Sequence, residues 1–215
     1  MRSVLLEVLI CIAIGYTLGN INPSYVFAKS RGYDVRKDGS GNAGASNAFI
    51  LAGKTAFLVS TLIDIFKAYA ACKICRLLFP GLSAAAEIAG VACILGHMFP
   101  AVLGFRGGKG LACLGGVILA WNWRIFPLMF LLAAALAFIS QYLAFAAPSI
   151  SLIFPGLFYL GEHDILRTLI LLIPAIPIFW KHRENFRRIR EGSEVKMSYI
   201  WNKEKELERT GRSGN

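Results

Sequence analysis

Charge is what this chain of 215 residues has least of. Asp, Glu, Lys and Arg together make up 17% of it, where soluble domains carry about 25%. With 56% hydrophobic residues and a mean hydropathy of +0.56, the composition excludes a soluble globular domain and a disordered chain alike. The acidic side is the poorer one, 13 Asp and Glu against 23 Lys and Arg, for a net charge of +10. No nucleic-acid-binding motif accompanies this basicity. It is assigned instead to the phosphates of small molecules and to anionic membrane lipid.

Other absences narrow the field further. Cysteines number five, Cys11, Cys72, Cys75, Cys93 and Cys113, and all fall in apolar stretches. An odd, buried set is no disulfide framework, and Cys72-x-x-Cys75 has no second pair with which to hold zinc. The phosphate-loop pattern G-x-x-x-x-G-K-[ST] is missing. So is H-x-x-x-x-D, since Val102, Thr168 and Arg187 stand five places beyond His97, His163 and His182. No internal repeat of the kind that builds alternating-access transporters is visible, which disfavours a carrier of phosphorylated metabolites.

What is present is a series of apolar runs near the roughly 20 residues that a bilayer-spanning helix needs. Expected spans are 4–28, 55–79, 84–104, 111–123, 125–146, 151–160 and 165–180, the fourth and sixth short. The first is read as a span, not a cleaved leader, because no small-residue cleavage site follows it. Most Lys and Arg fall in three patches: Lys29 to Lys54, Arg106 with Lys109, and Lys181 to Arg212. The positive-inside rule puts all three in the cytoplasm. The fold class is therefore all-α, a polytopic integral membrane protein of about seven transmembrane helices, with its N-terminus outside and its C-terminus cytoplasmic. Residues 1–181 form the membrane-embedded part. Residues 182–215 form a basic segment that completes the site and lies on the membrane, with 190–212 read as an amphipathic helix on lipid. Lys73 and Arg76 fall on the outer side in this layout and are expected to snorkel.

Each basic patch coincides with a polar cluster. "RKDGSGNAGASNAF", Arg36 to Phe49, gathers three glycines, two asparagines and two serines, a composition suited to turning backbone N–H groups onto an anion. "FRGGKG" places Gly107, Gly108 and Gly110 around Lys109 just before an apolar helix, whose N-terminus favours negative charge. "HRENFRRIREGSEVK" sets His182, Asn185 and Arg188 three apart, on one helical face. Asp64 and Lys67 also share a face, inside the second span, where charge is costly and usually paired. Three anion-suited clusters on one membrane face point to substrates with more than one phosphate-like group.

In order and spacing, "GNINPSYVFAKSRGYDVRKDGSGNAGASNAF", "GHMFPAVLGFRGGKG" and "HRENFRRIREGSEVK" resemble the three signature motifs of the bacterial acyl-phosphate:glycerol-3-phosphate acyltransferases, the PlsY family. "IDIFKA" is similar to that family's acidic–basic pair in the second span. The resemblance implies a seven-helix enzyme of the bacterial inner membrane with its site facing the cytoplasm. Such enzymes move a fatty acyl group from acyl phosphate to the 1-hydroxyl of glycerol 3-phosphate, giving lysophosphatidate. The resemblance implies neither cofactor nor metal, and an upstream acyl-phosphate-forming enzyme as a partner. Carried over by position, it implies a catalytic set of His182, Lys109 and Ser40, with Asn42, Gly44, Asn47, His97, Gly108 and Asn185 binding substrate. His182 is the expected general base, and Lys109 with the motif-two glycine N–H groups the expected stabiliser of phosphate and oxyanion. The chain departs from the family in four places: Ser46 replaces the usual Thr, Arg106 the usual Lys, "GNINP" the usual G-S-I-P, and Ile50 an Arg that clamps the acceptor phosphate. Another phosphorylated acceptor and an inactive paralogue are the alternatives that Ile50 raises.

Overall fold

The computed structural model describes residues 3–210. Arg212 and the other residues beyond Thr210 lie outside the described residues. Ten α-helices follow in order: α1 Val4–Gly19, α2 Pro23–Ser30, α3 Ala45–Leu78, α4 Ala85–Met98, α5 Leu111–Trp121, α6 Ile125–Ser140, α7 Ala146–Glu162, α8 Ile165–Leu172, α9 Ala175–Arg190 and α10 Lys203–Thr210. Among the described residues there is no strand. Lipid offers no hydrogen-bond partner, so a chain this apolar closes its backbone bonds within helices. Large side chains such as Leu5, Leu58, Phe66, Leu131, Ile139 and Ile176 stand exposed, the expected coat of a lipid-facing surface.

Five stretches are long and apolar enough to cross a bilayer: Val4–Ser30, Ala45–Leu78, Ala85–Leu103, Leu143–Glu162 and Ile165–Arg190. Leu111–Trp121 and Ile125–Ser140 are shorter apolar helices. Seven apolar segments are thus present, but the short ones are not all those expected. The run around Ser151–Leu160 belongs to a full-length span, because helix continues back through Ala146 and a 3₁₀ turn at Leu143–Phe145. The 125–146 stretch stops early instead, at Ser140, whose hydroxyl turns back onto Leu136 O at 2.5 Å while Gln141 takes a left-handed conformation.

Helix α3 would run about 51 Å if straight, well beyond the roughly 30 Å hydrocarbon core. It breaks at Gly53, with φ 86° and ψ −173°, values open only to glycine. The portion after Gly53 crosses the bundle. The portion before it packs with α2 as a cap over the end where the three basic clusters meet.

Small residues set the closest helix pair. Gly15 and Gly19 of α1 lie against Ala89, Ala92, Cys93 and Gly96 of α4, and a Cβ on Gly96 would come within 3.1 Å of Gly19 Cα. Such contacts replace the hydrophobic drive that is lost between helices in lipid. At the far end, Glu87 accepts from Arg167 at 2.8 Å, and Glu162 accepts from Arg167 at 3.2 Å and from Trp121 Nε1 at 2.8 Å. Arg76 lies 3.8 Å from the same Glu87 oxygen, so it is paired within the protein, while Lys73 sits over the Tyr69 ring. The five cysteines are buried free thiols.

The tail also departs from expectation. α9 ends at Arg190, and residues 191–202 form turns with a 3₁₀ segment, Met197–Ile200, in place of one continuous amphipathic helix. Met197 N donates to Gln141 O at 2.9 Å, the Tyr199 ring meets Phe49 edge-on, and Trp201 stacks on Phe138. Glu206 holds Arg209 and Ser198 together, and the Arg209 guanidinium keeps its carboxyl down at about 2. The tail folds back on the ends of α3 and α6.

Gly15→Leu should force α1 off α4 and destabilise the protein by about 1–3 kcal/mol, as core overpacking does. Thermal unfolding of detergent-solubilised protein should show a Tm lower by several degrees. Gly156→Ala, with nothing within 4 Å of the added carbon, should leave Tm equal or slightly higher.

Candidate active site

The loop between α2 and α3 is built around Asn47, which is fully buried. Its amide donates to Val35 O at 3.1 Å and Asp38 O at 3.0 Å, and its side-chain oxygen accepts from Ser40 N at 2.8 Å. Asn22 caps α2 at Tyr25 N and donates to Ala43 O at 2.9 Å. Arg36 is clamped on Asp34 by bonds of 2.9 and 2.7 Å, and that guanidinium holds the Asp34 carboxyl down at about 2. The asparagine expected to bind substrate is thus engaged with its own loop. Ser40 and Asn42 of the same loop are both half-buried. Gly44 touches the second cluster: a Cβ there would lie 3.7 Å from Gly108 Cα and 2.8 Å from Asn42 Nδ2.

In that second cluster the chain turns back on the end of α4. Gly107 N donates to Met98 O and Gly108 N to His97 O, both at 3.1 Å. These two N–H groups are occupied, which corrects the expectation that they face an anion. Gly108 matters by its size instead, since any Cβ would overlap the His97 ring. The carbonyls on this turn converge on Lys181, whose Nζ donates to Met98 O at 2.5 Å, Gly107 O at 3.0 Å and Gly108 O at 3.1 Å. Gly110, at φ 90°, then opens α5, whose first-turn N–H groups have no acceptor within the helix. Those are the backbone donors this cluster offers to an anion.

The third cluster closes over the second. Lys109 Nζ donates to Asn185 Oδ1. Asn185 in turn donates to Glu194 Oε1 at 2.6 Å, while Arg188 Nε reaches Glu194 Oε2 at 2.6 Å. Burial lowers the Lys109 ammonium to about 8, with Arg188 and Lys181 adding to the depression and Glu194 opposing it. His182 is buried, and its Nδ1 lies 2.8 Å from Ile178 O. A carbonyl only accepts, so Nδ1 carries a proton and Nε2 is left as the acceptor.

Below the loops sits a charged group inside the bundle. Lys67 Nζ lies 2.6 Å from Asp64 Oδ1 and 3.1 Å from His97 Nδ1, and donates to Gly19 O at 3.1 Å and Ile21 O at 2.6 Å. Ligand atoms of Asp64, His97 and Cys113 lie within 4.8 Å of one another, close enough to hold a metal ion. The Lys67 ammonium already supplies positive charge to both Asp64 and His97, so these residues do not fit a metal centre.

His97, Gly108, Lys109, His182, Asn185 and Gly44 therefore meet at one end of the bundle, with Ser40 and Asn42 on the adjoining loop. Sequence reasoning did not single out Lys181 or Glu194. Lys181 was hidden among the basic residues of the tail. Glu194 carried a signal, as an acid four places beyond Arg190, the last arginine of a basic run, but no spacing showed whom it would meet.

Residues 9–192 match the family model described as glycerol-3-phosphate acyltransferase. A glycerol-3-phosphate acyltransferase of Rubrobacter xylanophilus is 35% identical over 192 residues, covering 89% of this chain and 96% of the relative. One of Agrobacterium fabrum is 39% identical over 190 residues, 86% of this chain and 89% of its own. Among solved structures, PlsY (YgiH), an integral membrane glycerol 3-phosphate acyltransferase in its glycerol 3-phosphate form, superposes with a TM-score of 0.82 at 28% identity, covering 90% of this chain and 96% of that one. Its lysophosphatidic acid form gives 0.79 at 27% identity. A match over nearly the whole chain, by sequence and by fold, means that this protein belongs to the glycerol-3-phosphate acyltransferase family.

Proposed function

We propose that the chain transfers a fatty acyl group from acyl phosphate to the 1-hydroxyl of glycerol 3-phosphate, at the cytoplasmic face of a bacterial inner membrane. The product is lysophosphatidate, and the step belongs to phospholipid biosynthesis. The observation that carries this reading is the meeting of the three clusters, Gly44 against Gly108 and Lys109 on Asn185. Relatives bearing the acyltransferase name support the acceptor and the reaction. The donor rests on the chemistry of the site.

Acyl phosphate is a mixed anhydride with phosphate as its leaving group, so the protein needs chiefly to hold two anions and align them. Alignment to about 3–3.5 Å is worth up to roughly 7–11 kcal/mol in favourable intramolecular cases. Lys109 and the N-terminal turn of α5 face the anions. His182 Nε2, the acceptor nitrogen, takes the hydroxyl proton as the alcohol oxygen bonds to the carbonyl carbon. The C–O bond to phosphate then breaks, and inorganic phosphate leaves with the bonding pair. Ser40 and Asn42 supply further donors at the mouth, Asn185 holds Lys109, and Asn47 acts by keeping its loop in shape. Exposed apolar faces beside the site take the acyl chain, anionic lipid covers the basic surface, and an enzyme that forms acyl phosphate supplies the donor.

Purified protein given palmitoyl phosphate and glycerol 3-phosphate should form lysophosphatidate and release one phosphate per turnover. No product with this acceptor, or with related polyol phosphates, would overturn the assignment.

Ile50, half-buried in α3 before the Gly53 break, brings no charge where the family's Arg clamps phosphate. Ile50→Arg should lower KM for glycerol 3-phosphate about tenfold or more, the scale of a charged hydrogen bond at roughly 1.5–3 kcal/mol. A higher KM in a screen of phosphorylated acceptors would show a site tuned to another alcohol.

The Lys109 ammonium, lowered to about 8, is charged below that pH and loses its proton as pH rises through it. KM for glycerol 3-phosphate should therefore climb above about pH 8. Lys109→Arg, charged throughout, should flatten that climb, and Lys109→Met should lower kcat/KM by about a hundredfold or more, the scale of losing one oxyanion donor.

A further inference from the structure

The third motif ends at Lys196, and the match to the family model ends at residue 192. Residues 197–210 lie past both, as the 3₁₀ turn Met197–Ile200 and α10. The acyltransferase reading gives them no task. A helix of two turns is not stable by itself in water, so α10 persists through its ties to the rest of the chain. Those ties lead to the candidate active site.

Glu206 organises the tail. It is buried, and it accepts from Lys196 N at 3.2 Å, from Ser198 Oγ at 2.9 Å, and from Arg209 Nε and Nη2 at 3.1 and 2.8 Å. Two points of attachment fix the plane of the Arg209 guanidinium, as a carboxylate does for arginine. The fork then meets two backbone carbonyls of the turn after α9. Nη1 donates to Gly192 O at 2.5 Å and Nη2 to Glu194 O at 2.6 Å.

Residue 194 is therefore held from two sides. Its carbonyl is taken by Arg209, while its carboxylate accepts from Asn185 Nδ2 and Arg188 Nε, each at 2.6 Å. Asn185 Oδ1 in turn accepts from Lys109. A continuous line of polar contacts runs from α10 to the lysine that faces the anions. Without the guanidinium, the backbone of this turn keeps only its bonds back to α9, Gly192 N to Ile189 O and Ser193 N and Glu194 N to Arg188 O. The other end of the tail is anchored independently, by Met197 N on Gln141 O, Trp201 on Phe138, and Tyr199 on Phe49.

We propose that residues 197–210 form a strap across the active-site end of the bundle, with Arg209 as a positioning residue. By gripping the Gly192 and Glu194 carbonyls, Arg209 holds the Glu194 carboxylate on Asn185 and Arg188, and through Asn185 it places Lys109 for the acceptor phosphate. The part played by Lys109 rests on the proposed function; the grip on the turn does not.

Two measurements on the full chain in lipid nanodiscs test it. The first is backbone hydrogen exchange, which needs no turnover. The amides of Ser193 and Glu194 should be protected in the unaltered protein. In Arg209→Met they should exchange about tenfold faster or more, as a locally opened segment does, with α4 unchanged. Arg209→Lys keeps the charge but cannot span both carbonyls, and should exchange nearly as fast as Arg209→Met. Unprotected amides in the unaltered protein, protection that survives both substitutions, or faster exchange that includes α4 would overturn the proposal.

The second measurement is kinetic. Arg209→Met should raise KM for glycerol 3-phosphate about 5–20-fold with kcat within about twofold, inside the range for residues coupled through one network. A variant that merely unfolds would lose kcat and keep KM, and that result would overturn the positioning role. In a Lys109→Met background the same change should alter KM by less than about twofold, because the group it acts through is gone. Losses that multiply there would show that Arg209 acts independently of Lys109 and would also overturn it. An unaltered protein that turns over no glycerol 3-phosphate would instead overturn the proposed function, while the exchange result still decides the grip on the turn.

Discussion

Hydrocarbon gives no partner to a free N–H or C=O, and that single constraint organises this protein wherever its helices stop. Each unsatisfied group at such depth costs several kcal/mol, so every break must be closed by a side chain sent from elsewhere. Lys67, from the middle of α3, closes the carbonyls of Gly19 and Ile21 at the end of α1. Lys181, from α9, closes Met98, Gly107 and Gly108 beyond α4. Asn47 closes Val35 and Asp38, and Asn22 closes Ala43. The breaks cluster at one end of the bundle, and the candidate active site is made from them.

This arrangement changes the meaning of the chain's positive charge. A net +10 suggests a broad field for anions, but most cations near the site are already engaged. Arg36 is held by Asp34, Arg188 by Glu194, Lys67 by Asp64 and Lys181 by three carbonyls. Lys109 differs. It is half-buried, its one side-chain hydrogen-bond partner among the described residues is a neutral amide, and burial lowers its ammonium to about 8. An anion entering the site would meet a poorly compensated cation in a medium of low dielectric, where attraction is strongest. Lys109 is thus the least compensated of these cations, with the other charges acting as scaffold.

Much of this was legible in the sequence, and the reason is physical. Seven apolar runs survive as seven apolar segments, though not all at the expected lengths, because the bilayer constrains composition throughout. The three polar clusters meet at one end of the bundle, as their shared basic character led one to expect. What could not be read were the pairings made across the breaks. "GGKG" looks like a nest of N–H donors, but Gly107 and Gly108 turn theirs onto α4. Asn47 looks like a ligand and is a loop core. Helical periodicity after Lys181 suggested a surface helix, yet Gly192, at φ 72°, ends α9 and sends the tail back over Phe138 and Phe49. Each of these depends on a partner distant in the chain, which local pattern does not encode.

The two histidines show how that scaffold extends to the chemistry. His182 Nδ1 lies beside a carbonyl of its own helix and His97 Nδ1 beside Lys67 and Asp64 of another span, so their surroundings differ in kind. His182 is held by a carbonyl of its own helix four residues back, so its orientation follows from α9 alone. His97 is held by an ion pair on another span, and its orientation changes if α1, α3 or α4 shifts. The setting of His182 is therefore local to one helix, and that of His97 is made across the bundle. Charge at that depth is costly and survives by being paired, and the Asp64–Lys67 pair lies beneath one histidine and not the other.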